Sequence, residues 1–313
     1  AMSAPAPRPG ILDISPYVGG EAHAPGVDRL IRLASNEGAL GPSPRAMEAY
    51  RQAAAELHRY PDGGSTALRD GLARLYGLDV SRIVCGTGSD ELLGLLTRAY
   101  AGPGDEVLYS AHGFLMYPIS ARSVGATPVA APEKGLKADV DALLAHVTER
   151  TKILFIANPN NPTGSFLTSD EMRRLHAGLP GHVVLVIDAA YAEYVDRPDY
   201  TAGSELVEEF GNVVMTRTFS KIYALGGLRL GWAYCPPAIA DVLNRVRQPF
   251  NVNSLALAAA TQALASAVLG LLRLGFLLLA AVLALVSTTT VVALALGLVG
   301  AFGLAFFGPA LRG

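Results

Sequence analysis

Lys152-Ile153-Leu154-Phe155-Ile156-Ala157-Asn158-Pro159-Asn160-Asn161-Pro162-Thr163-Gly164 decides the fold. An unbroken apolar run of this length is the signature of a strand buried on both faces, which is how strands sit in a parallel sheet. Asn-Pro twice over and then glycine cannot continue a strand, so the chain must break into an irregular loop where the strand ends. In open α/β sheets that carboxyl end is where ligands bind.

The same pattern recurs on either side. Val183 to Ile187 is a second apolar strand, stopped by Asp188 and followed by Tyr191. A carboxylate after five apolar residues is costly to bury without a partner, so Asp188 is either a ligand-binding group or the N-cap of a following helix. Val213-Val214-Met215 leads into Thr218-Phe219-Ser220-Lys221, with Gly226-Gly227 and Arg229 beyond. A lysine is a nucleophile only where its charge is suppressed or its amine is held as an imine, and hydroxyls with an arginine beside it point to a phosphate. Together they point to pyridoxal 5'-phosphate. Gly231 to Cys235 reads as a strand leading away, and Pro236-Pro237 opens a helix from Ala238 to Val246.

Upstream, Ser43 and Pro44 are a good N-cap and first residue for a helix from Arg45 to His58, and Leu68, Leu72 and Leu75 recur at helical spacing in Thr66 to Tyr76. Arg82-Ile83-Val84 is a short strand running into Gly86-Thr87-Gly88-Ser89-Asp90, before the apolar helix marked by Leu92, Leu93, Leu95 and Leu96. A glycine turn between strand and helix is either plain βα punctuation or an anion site at the helix N-terminus. Asp105 to Tyr109 is the next strand, followed by His112-Gly113-Phe114-Leu115-Met116-Tyr117. Phe114 is a core aromatic or a ring-stacking one. His112 receives no catalytic role. Strands alternating with helices give α/β architecture with a mostly parallel, doubly wound sheet.

Taken in order, these segments resemble the fold-type I aminotransferases that depend on pyridoxal phosphate, and the S-K-x-x-x-L-x-G-L-R form of the lysine segment is most similar to the histidinol-phosphate aminotransferases. The resemblance covers about Leu33 to Ala260. It implies that Lys221 is the catalytic lysine and that Asp188 holds the pyridine nitrogen. Asn161 and Tyr191 would share the phenolic oxygen, and Phe114 would stack on the ring. Gly88, Ser89, Asp90, Thr218, Ser220 and Arg229 would bind the cofactor phosphate. Asn36, in Leu33-Ala34-Ser35-Asn36-Glu37, would lie on the substrate side, the alternative being an ordinary loop residue. Tyr60, in Arg59-Tyr60-Pro61-Asp62, would reach the cofactor phosphate and substrate of a neighbouring subunit, which implies a homodimer. The implied reaction is amino transfer from histidinol phosphate to 2-oxoglutarate. The alternatives are an aromatic amino acid aminotransferase, a cofactor-binding scaffold with impaired turnover, and a membrane-associated protein with such a domain.

Composition agrees with small-molecule chemistry: a net charge of −2 over 313 residues offers no basic field for nucleic acid. Cys85 and Cys235 are far apart and have no metal-ligand spacing, so they read as reduced core residues of a cytoplasmic protein. The Pro- and Ala-rich start has no apolar signal core. The expected organisation is an N-terminal arm over 1–34, a cofactor-binding large domain over 35–255 and an atypical apolar segment over 256–313. Between Arg273 and Arg312 there is no charged residue. The resemblance requires there a small domain carrying an arginine for the substrate carboxylate, and no such motif is present. Residues 265–286 and 291–307, about 20 apiece, have the length of membrane spans. A non-homologous end is the preferred reading, with an apolar small domain as the third.

Overall fold

The computed structural model describes residues 7–16, 26 and 34–266. The apolar stretch beyond 266, and with it the choice between membrane hairpin, non-homologous end and small domain, lies outside the described residues, as do parts of the N-terminal arm. Among the described residues no helix is long and apolar enough to cross a membrane.

Elements follow the predicted alternation. The helix α1 (Pro44–Ala53) is capped by Ser43, whose hydroxyl accepts from the Ala46 N–H, with Pro44 in the first turn. It ends earlier than the expected His58, because the chain tightens into a 3₁₀ turn over Ala54–Glu56. Pro61 lies just beyond and disfavours helical backbone at the residue before it. Next come α2 (Thr66–Tyr76), β1 (Ile83–Gly86), α3 (Ser89–Tyr100), β2 (Glu106–Ser110), α4 (Met116–Val124) and β3 (Thr127–Ala131). A small hairpin, β4 (Glu133–Lys134) and β5 (Lys137–Ala138), precedes α5 (Val140–Ala145), β6 (Thr151–Ala157) and α6 (Ser169–Ala177). The chain continues through β7 (Val184–Asp188), α7 (Ser204–Glu209), β8 (Val213–Thr218), β9 (Gly231–Tyr234) and α8 (Pro237–Val246), and residues 254–266 are helical.

Seven strands form one sheet in the order β1-β9-β8-β7-β6-β2-β3. The pairs from β8 to β3 are parallel, and β9 runs antiparallel to both its neighbours. Strand residues alternate between two cores, as a period of two requires. Leu154, Ile156, Leu185, Ile187, Val213 and Met215 join one core with Leu68, Leu72, Met172 and Leu175 from α2 and α6. Ile153, Phe155, Val184, Val186 and Val214 join the other with Leu92, Leu96, Ala121 and Leu243 from α3, α4 and α8. Both faces are therefore covered by helices, which is why β6 and β7 read as continuous apolar runs. Both cysteines are buried and free.

Candidate active site

The parallel strands end along one edge, and the loops that leave them there enclose a cavity of about 540 Å³. Asp188, Lys221 and Arg229, drawn from three separate segments, all line it. So do Asn36, Ser89, Asp90, Phe114, Asn161, Tyr191, Thr218 and Ser220.

At the β1 end, Gly88 has φ +82 and opens α3, so backbone amides and the positive end of a twelve-residue helix meet there. That φ favours glycine, and a Cβ there would stand 2.5 Å from Arg229 Nη2, so any other residue would also push the guanidinium aside. Arg229 donates to Asp90 Oδ2 at 3.1 Å, Ser220 Oγ at 3.3 Å and the Gly226 carbonyl at 3.1 Å. A guanidinium, a hydroxyl and a helix N-terminus thus converge, which is the donor set a phosphate dianion needs.

Asp188 is the last residue of β7 and caps no helix, which sets aside the N-cap reading; the following 3₁₀ turn is preceded by Tyr191. Its Oδ2 accepts from Tyr117 Oη at 3.0 Å and its Oδ1 from Thr216 Oγ1 at 3.4 Å. Burial pushes its carboxyl up to about 6, against the hydrogen bond from Tyr117. No ion pair to Asp188 is formed among the described residues. A buried acid with hydroxyl support and no counter-ion fits a cationic ligand atom, such as a protonated ring nitrogen.

Lys221 Nζ donates to the Ser35 carbonyl at 3.1 Å and lies 5.5 Å from the centre of the Tyr191 ring. Asn36, at φ 52, donates from Nδ2 to Tyr191 Oη at 2.9 Å, tying the segment before α1 to the tyrosine. Phe114 lines the cavity and also packs edge-on against Tyr117, 5.9 Å between ring centres. Tyr60 lines no part of the cavity in its own chain. It is 84% exposed and stacked on Phe250 at 4.9 Å.

Two contributors escaped the sequence. Tyr117 is buried, and the only signal it offered was its position three residues after Phe114. His112 lines the cavity and pairs through Nδ1 with Glu133 Oε2 at 2.9 Å, a partner on the two-residue strand β4.

This sheet order, with its helices on both faces and a lysine-centred cavity at the strand ends, is the architecture of fold-type I aminotransferases. The family model for aminotransferase class I and II matches residues 28–271, and the chain belongs to that family. Among curated relatives, the histidinol-phosphate aminotransferase of Rhodospirillum centenum is 69% identical over 263 residues, covering 84% of this chain and 73% of its own. That of Paramagnetospirillum magneticum is 69% identical over 258 residues, 82% of this chain and 71% of its own. The crystal structure of histidinol-phosphate aminotransferase from Sinorhizobium meliloti in complex with pyridoxal-5'-phosphate superposes with a TM-score of 0.71 at 33% identity, over 74% of this chain. This chain spans 63% of the length of that solved relative.

Proposed function

We propose that the chain is a pyridoxal-phosphate-dependent aminotransferase that moves the amino group of histidinol phosphate to 2-oxoglutarate. The observation that carries this is the meeting of Asp188, Lys221 and Arg229 in one cavity. The level of identity to histidinol-phosphate aminotransferases supports the substrate pair.

In this reading the phosphate of the cofactor is held by Gly88, Ser89, Asp90, Thr218, Ser220 and Arg229, its ring nitrogen by Asp188, and its phenolic oxygen by Asn161 and Tyr191. Phe114 stacks on the ring. When bound, the cofactor supplies a carbonyl that condenses with amines and a protonated ring that accepts electrons. Asp188 keeps the proton on the ring nitrogen, because a buried carboxylate without another counter-ion is stabilised by a cation beside it. The Lys221 amine takes the proton from the substrate α-carbon and returns it, with Ser35 and Tyr191 fixing where Nζ stands. Asn36 orients the Tyr191 hydroxyl.

The working form is a cytoplasmic homodimer in which Tyr60 serves the neighbouring subunit. Its exposure and its stacking on Phe250 at the surface support that assignment.

Borohydride reduction of the cofactor-loaded protein, followed by peptide mapping, tests the site: the tag is expected on Lys221, and a tag elsewhere sinks the proposal. Lys221→Ala should abolish the tag and lower the rate of amino transfer by about 10³-fold or more, the scale of a lost acid–base group with its covalent role. Transfer from histidinol phosphate to 2-oxoglutarate, measured against transfer from aromatic amino acids, tests the substrate.

A further inference from the structure

Three side chains that carry or can acquire positive charge line the cavity: Lys221, Arg229 and His112. The first two are committed in the reading above, one to the reacting carbon and the other to the cofactor phosphate. His112 is not. It follows β2, which β8, β7 and β6 separate from the β1–β9 end where Arg229 stands. The two cations therefore occupy opposite ends of the row of strand termini that opens into the cavity.

His112 is held at three points. Its ring Nδ1 meets Glu133 Oε2 at 2.9 Å, its backbone N–H donates to Glu133 Oε1 at 3.0 Å, and its carbonyl accepts from Asn160 Nδ2 at 3.2 Å. The Ser110 hydroxyl donates to the same carboxylate. Burial works against the charge of Glu133, yet the bonds from Ser110 and His112 outweigh it and hold the carboxyl below its ordinary range. An ionised carboxylate only accepts, so Nδ1 carries the proton and Nε2 is the ring nitrogen left for another partner. The exposures divide the same way: the Glu133 side chain is 3% exposed and the His112 side chain 55%. The carboxylate is the support and the imidazole the working end, as Asp90 and Arg229 are across the cavity.

We propose that His112, oriented by Glu133, binds the phosphate of the amino substrate and gives this chain its preference for a phosphorylated donor. The inference rests on the function proposed above. When Nε2 is protonated as well, its N–H makes a charge-assisted hydrogen bond to a phosphate oxygen, and a donor without phosphate has nothing to offer it.

The test compares L-histidinol phosphate with L-histidinol on the cofactor-loaded full chain. Dissociation constants are read from the donor-induced change in the cofactor's visible band, and KM and kcat from turnover. His112→Ala should weaken histidinol phosphate by about 10- to 100-fold in Kd and KM, the scale of one hydrogen bond to a charged group. It should leave the Kd of histidinol where it was. Glu133→Gln, which keeps the shape and removes the charge, should give a smaller change in the same direction. Equal losses for the two donors, no loss for either, or a wild-type chain that binds both alike would each overturn the proposal. An untagged Lys221 in the wild type is the separate sign that the functional reading itself has failed.

Discussion

Two buried charges sit on neighbouring strands and are treated in opposite ways. Arg217, on β8, is 8% exposed at its side chain and has a counter-ion, Glu193 at 2.6 Å, with the Tyr76 ring at 4.9 Å and the Trp232 ring at 5.7 Å, while its Nε is buried without a hydrogen-bond partner. Asp188, on β7, has hydroxyls and a backbone N–H but no cation among the described residues. On β8, Thr216 and Thr218 turn toward Asp188 and the cavity, and Arg217 between them turns away, as strand alternation requires. The paired charge belongs to the framework, and in the function proposed above a ligand would supply the charge that the unpaired one lacks. The framework pair also has a position to keep, since Glu193 is two residues from Tyr191 and Arg217 four from Lys221.

The largest effect should come from breaking the framework pair. Glu193→Gln leaves Arg217 charged and buried with no counter-ion, and urea unfolding of the cofactor-free chain should register a loss of about 3–5 kcal/mol. Replacing both partners with apolar residues of similar volume should cost much less. A single substitution within about 1 kcal/mol of the wild type would remove the distinction drawn between the two charges.

The unpaired group should respond with the opposite sign. Burial moves Asp188 from an ordinary 3.8 up to about 6, so the folded chain binds its proton more tightly than the unfolded chain does. The penalty is absent below about pH 4, grows between 4 and 6, and is fully present above that, on the order of 3 kcal/mol. Asp188→Asn should therefore stabilise the cofactor-free chain at pH 8, with a gain that shrinks as the pH falls toward 4. With cofactor present the same change should weaken binding. Thermal unfolding at several pH values, with and without pyridoxal phosphate, reads both, and an Asn variant less stable than wild type at pH 8 would refute the claim.

Much of this was legible before any coordinates. β6 and β7 announced themselves because a strand covered on both faces has no polar alternation to disguise it, and Asn-Pro-Asn-Asn-Pro admits nothing regular after β6. The βα turn at Gly88 was legible too, because only glycine accepts φ +82 there without cost. What stayed hidden has a common cause. Tyr117 and Asp188 are 71 residues apart, His112 and Glu133 are 21 apart, and neither pair has a local pattern that calls for the other. Glu133 lies on a two-residue strand, too short for any periodicity to reveal. The overlong α1 has a different origin, since Ala53-Ala54-Ala55 are strong helix formers and propensity alone would carry the helix through them.

The finest test separates charge support from packing at Asp188. Tyr117 stacks on Phe155 with ring centres 4.8 Å apart and planes 7° apart, and its hydroxyl donates to Asp188 Oδ2 at 3.0 Å. Tyr117→Phe keeps the ring and deletes the donor. The hydrogen bond favours the ionised acid, so its removal should lift Asp188 still further above its ordinary range. At pH 8, where Asp188 is charged, the variant should lose about 1.5–3 kcal/mol, the worth of a hydrogen bond to a charged group. At pH 5 the acid is mostly protonated in the folded chain and leans less on that donor, so the loss should shrink. A loss of the same size at both pH values would mean that the hydroxyl serves packing alone. The buried acid would then lack the support that distinguishes a prepared site from an unpaired charge.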